Sequence, residues 1–75
     1  MVIRSEGFTE TAGMVTIYRQ GSENHIVVPL PVVAWWDVDI ETNAVTLHLT
    51  TGDAISVRFD LSAVLRGLLD ILDGE

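Results

Sequence analysis

The sequence predicts an α+β domain: a small antiparallel β-sheet of about four to five strands, including a C-terminal three-stranded meander, with one C-terminal amphipathic α-helix packed on one face. Three observations predict it. Over residues 14–59, short apolar runs alternate with polar residues at the period of a strand. Turn-forming clusters separate those runs: GSEN at 21–24, TN at 42–43 and TGD at 51–53. After Phe59 the spacing changes, and apolar residues fall at 61, 64, 65, 68, 69, 71 and 72, as on one face of a helix.

Each element follows in order. Residues 1–13 are polar with glycines at 7 and 13. Two options stay open for them, a short edge strand at residues 2–4 or no regular structure. The stretch MVTIYRQ (14–20) is β-rich, and HIVVPL (25–30) answers it across the GSEN turn. A four-residue loop sets Ile17 opposite Val28 and Val15 opposite Leu30. Pro29 and Pro31 interrupt the ladder, so a bend or crossing falls there. VVAWWDVDIE (32–41), AVTLHLT (44–50) and AISVRFD (54–60) then form the meander. Asn43 tolerates the positive φ of a tight turn, and Gly52 supplies an unusual backbone angle in the next one. Asp60 or Ser62 caps the helix start. Gly74 closes its end.

Tight turns fix the facing residues. Ile40 meets Val45, Val38 meets Leu47, and Trp36 meets Leu49. In the next hairpin Leu49 lies by Ile55, Leu47 by Val57, and Val45 by Phe59. These side chains share the face that the helix must cover. The opposite face carries Val33, Trp35, Asp37, Asp39 and Glu41 on one strand, beside Thr46, His48, Thr50, Ser56 and Arg58. The adjacent tryptophans therefore point opposite ways, Trp36 to the core and Trp35 to the open face.

Composition excludes several functions. The chain has eleven acids against four bases, for a formal charge of −7, and every base is an arginine. Direct nucleic-acid binding needs phosphate neutralisation by cations, so it is not expected. A basic protein surface is attracted instead. Without cysteine, disulfides and thiolate metal sites are excluded, and two histidines are too few for an all-protein zinc site unless carboxylates complete it. No metal or cofactor is expected. No stretch approaches the roughly 20 apolar residues that span a bilayer, and no secretory signal is visible. The expectation is one small cytoplasmic domain over residues 1–75, without membrane contact.

The candidate partner-binding residues are Val33, Trp35, Asp37, Asp39, Glu41, His48 and Arg58. Trp is the residue type most enriched at binding hot spots, and flanking charges steer a partner. Acids two apart on a strand lie about 7 Å apart, close to the phosphate spacing of a nucleic-acid strand. The ladder therefore suits imitation of a short phosphate run. Asp37, His48 and Ser56 in one row carry the side-chain types of a hydrolase triad, but nothing supplies an oxyanion hole or a pocket. The expected function is a non-enzymatic protein-binding module, an inhibitor or adaptor docking on a basic surface of a larger protein, such as one that receives nucleic acid. In size, acidity and lack of cysteine the chain is similar to phage-encoded inhibitors of bacterial defence, a likeness of composition alone. The alternative is a structural or assembly subunit forming a small homo-oligomer such as a homodimer.

Overall fold

The computed structural model describes residues 2–21 and 23–74. The Met1, Ser22 and Glu75 positions lie outside the described residues, and with them part of the GSEN turn. Among the described residues there are six strands: β1 (Val2–Thr11), β2 (Met14–Arg19), β3 (His25–Pro29), β4 (Val33–Asp39), β5 (Ala44–Leu49) and β6 (Ala54–Phe59). Helix α1 spans Ser62–Leu72. The α+β class and the C-terminal meander hold, but the sheet has six strands and is mixed. Its order is β3-β2-β1-β6-β5-β4, and β1 runs parallel to β6.

The N-terminal segment is therefore neither loose nor a short edge strand. It is a ten-residue strand at the centre of the sheet. Its first half pairs with β6, from Val2 beside Ser56 to Ser5 beside Phe59. Its second half pairs with β2, from Gly7 beside Tyr18 to Thr11 beside Met14. Between them a bulge inserts Glu6 as an extra residue. Ser5 is fully buried there, and its hydroxyl both donates to the Gly7 carbonyl (2.7 Å) and accepts from the Gly7 N–H (3.1 Å). One side chain thus satisfies the backbone groups that the bulge releases. The phase shift also lets Ile3, Ser5 and Phe8 all address the core side.

Two three-stranded meanders are joined through β1 and β6. The chain passes between them at Leu30–Val32, a single 3-10 turn where the two prolines predict a crossing. That link has a geometric consequence. In a flat sheet the outermost strands β3 and β4 stand five spacings apart, about 24 Å. Four residue steps from Pro29 to Val33 reach at most about 14 Å. The sheet must therefore curl until its outer strands approach at this corner. Two hydrogen bonds pin the corner: Leu30 N–H to the Gly13 carbonyl and Thr50 N–H to the Val32 carbonyl, both 2.8 Å.

The concave side holds the core: Val15, Ile17, Val28, Val45, Leu47, Val57 and Phe59 from the sheet, with Leu65 and Leu68 from α1. The helix contacts β1 and β6, the centre of the sheet. Phe8 packs under Gly67, where an added Cβ lies 3.6 Å from its ring, and meets Phe59 edge to face at 6.2 Å. Neither Asp60 nor Ser62 caps α1: no side-chain hydrogen bond reaches its first turn, and the Asp60 carboxylate accepts instead from Gln20 Nε2 at 2.8 Å. Gly74 closes the other end at φ +84°, its N–H bonding the Ile71 carbonyl.

All three expected registers shift by two residues. Val15 faces Val28, Trp36 faces Leu47, Val38 faces Val45, and Leu47 faces Ile55. An even shift does not by itself change the face a side chain occupies, because the side-chain period is two. The loops account for the shift. Residues 40–43 form a four-residue connection with Asn43 at φ +55°, not a two-residue one, and Ile40 and Glu41 leave the strand. Gly52 takes φ +96° in the following turn.

Candidate protein-docking face

The outer face of β4, β5 and β6 is organised around Trp35. Trp35 lies opposite His48 in the ladder and is 52% exposed. The two rings stack with centroids 3.7 Å apart and planes 2° from parallel. His48 Nε2 in turn lies 3.0 Å from Asp37 Oδ2, within hydrogen-bonding distance. Asp37 sits directly opposite Thr46, so its contact with His48 is a diagonal one. The expected pairing of Asp37 with His48 is present, though reached by a different register. An exposed indole held on both its strand and a fixed imidazole has little rotamer freedom left to lose on binding.

Next to this cluster the face is shallow. Ala54 follows His48 across the sheet, and Ala44 stands between Asp39 and Arg58. Thr46 and Ser56 hydroxyls bond each other at 3.0 Å. Ser56 is thus committed to Thr46, and His48 lies opposite Ala54, so Asp37, His48 and Ser56 do not form a relay. Beyond this trough Arg58 lies beside Arg4 on the parallel neighbour β1. Like charges directly opposed cost stability, and no carboxylate within ion-pairing distance offsets this pair among the described residues. The arginine bank therefore faces the acidic edge across a strip of small side chains. Arg4 also lines a cleft of about 240 Å³ with Val2, Ile3, Arg19 and Gln20. Sequence spacing does not reveal that Arg4 and Arg58 are strand neighbours, because this arises from a parallel pairing of the two ends of the chain.

Two predicted members leave the face. Val33 packs against the core with its partner Leu49. A second bulge, between Val33 and Trp35, makes Ala34 an extra residue and turns Val33 to the other side. The expected apolar spot of Val33 with Trp35 does not form. Glu41 is exposed in the turn after β4, where its N–H donates to Asp39 Oδ1 at 3.1 Å. Only Asp37 and Asp39 stand on the strand, each with a partner. A regular row of three free carboxylates, as phosphate imitation requires, is not built here. His25, at the first turn, is exposed and meets the Tyr18 ring edge to face at 4.7 Å.

Among the described residues, no three or more His, Asp or Glu side chains converge as metal ligands, and no helix is long and apolar enough to cross a membrane. No family model matches this chain, no curated protein matches it, and no solved structure matches its fold.

Proposed function

We propose that this protein is a non-catalytic protein-binding module, an inhibitor or adaptor, whose docking face is the outer side of β4–β6 centred on Trp35. The observation that carries this reading is the stack of Trp35 on His48, fixed by Asp37. A large aromatic is left half in solvent yet already held in one orientation, which is the state of an anchor before its partner arrives. Asp37, Asp39 and Glu41 give the surrounding edge a negative field, and the chain's net charge of −7 extends it. The partner surface is accordingly basic, such as one that otherwise receives nucleic acid. Affinity capture identifies that partner, and its association rate at increasing salt tests the electrostatic half of the reading. Asp37→Asn with Asp39→Asn slows association and flattens the salt dependence. An unchanged rate at every salt concentration contradicts it.

One observation favours assembly as a second reading. Val38 and Ile40, expected in the core, are 38% and 77% exposed at the outer edge of the sheet. An exposed apolar rim of this kind suits burial in an interface between copies of the chain. The molecular mass in solution separates the two: a module is monomeric without its partner, whereas an assembly subunit associates alone.

A further inference from the structure

We propose that the free edge of β4 accepts an extended segment of the partner as an added strand, one in which Lys or Arg alternates with aliphatic residues. This deepens the docking reading, on which it rests, by naming the partner's chemistry.

Backbone groups are available there. The Leu49 N–H bonds the Asp53 carbonyl, so odd-numbered residues of β5 direct their backbone to β6 and even-numbered ones to β4. The partners of the even residues are Trp35, Asp37 and Asp39, whose backbone groups therefore turn inward. Those of Trp36 and Val38 point off the edge, where no strand pairs with β4 among the described residues. At the opposite edge β3 is only five residues long and ends in Pro29, which lacks a donor.

The side chains specify what fits. An added strand places alternate residues on the two faces of the sheet. On the core side it meets Trp36, partly buried against the core, and Val38, which is exposed, with Ile40 exposed in the turn just beyond the strand. On the outer side it meets Asp37 and Asp39. A second copy of β4 is a poor occupant, since antiparallel self-pairing brings these acids against their own copies. Natural edge strands use charges to prevent self-association. Here the same charges select a cationic strand, and the apolar side chains on the other face select its aliphatic partners. Recognition by β-augmentation takes this form, with main-chain bonds for affinity and alternate side chains for specificity.

The test uses the full chain, labelled with nitrogen-15, and a peptide of about ten alternating Lys and Val residues, long enough for one strand. Controls are the matching Glu and Val peptide, and the Lys peptide N-methylated along one edge. The expected result is a shift and exchange protection of the Trp36 and Val38 amides. The Glu peptide does not bind, and N-methylation of the edge facing β4 weakens binding roughly tenfold, as loss of two edge hydrogen bonds does. If shifts are confined to the Trp35 and His48 side chains and N-methylation has no effect, edge pairing is overturned while the outer docking face stands. Absence of binding, or equal binding of the Glu peptide, also overturns it. The docking reading fails separately, through partner capture that is indifferent to Trp35.

Discussion

Trp35 and His48 lie flat against each other on the outer face, 3.7 Å apart, while Trp36, one residue on, packs against the core with Leu47 opposite. Two neighbouring tryptophans therefore do different work. Truncating Trp36 opens a gap beside Leu47 in a partly buried site. Trp36→Ala is expected to cost about 2–4 kcal/mol, below the loss at a sealed core position. Urea melts of the variant measure this, and a midpoint equal to wild type refutes it.

Leu68, on the inner face of α1, has no exposed surface. Its replacement by Ala should cost about 2–5 kcal/mol, a large share of what a domain of this size has. Thermal melting followed by circular dichroism is the check. A melting temperature unchanged by Leu68→Ala means that the helix does not pack over β1 and β6.

Ser5 at the β1 bulge gives a polar counterpart. Ser5→Ala removes little volume but leaves the Gly7 N–H and carbonyl without their partner. The expected cost is about 1–3 kcal/mol, more than a surface serine gives. Hydrogen exchange at Gly7 should accelerate in the same variant. No change in either quantity contradicts the role assigned to the hydroxyl.

Ala12 points the other way. It holds φ +55° in the two-residue turn between β1 and β2, a conformation that disfavours alanine and suits asparagine or glycine. Ala12→Asn should stabilise the chain by about 0.5–1 kcal/mol, raising the melting temperature by a few degrees. A lower melting temperature contradicts this turn geometry.

How far the fold was legible follows from where its signals are local. The meander and the helix were readable because period two and period 3.6 are written into the residues themselves. The face of each tryptophan survived a register error because that error was an even number of residues. The centre of the sheet was not readable. In β1 a buried serine and a bulge interrupt the alternation, and its parallel pairing with β6 joins segments more than fifty residues apart without a local mark. That one insertion moves the sheet's centre to β1 and β6, draws the helix there, and leaves Val38 and Ile40 at the rim. Of the candidate site, the Asp37–His48 pair and the exposure of Trp35 followed from parity. The Trp35–His48 stack depended on the true register, and the loss of Val33 on a bulge that composition does not announce.

The most direct test of the docking face is binding of the captured partner to wild type and to Trp35→Ala, measured alongside their melting curves. Trp35 is half in solvent, so the variant should melt within about 1 kcal/mol of wild type. Its affinity should nonetheless fall at least about thirtyfold, the loss of a hot-spot aromatic of 2 kcal/mol or more. A folded Trp35→Ala chain that holds its partner as tightly as wild type contradicts the account.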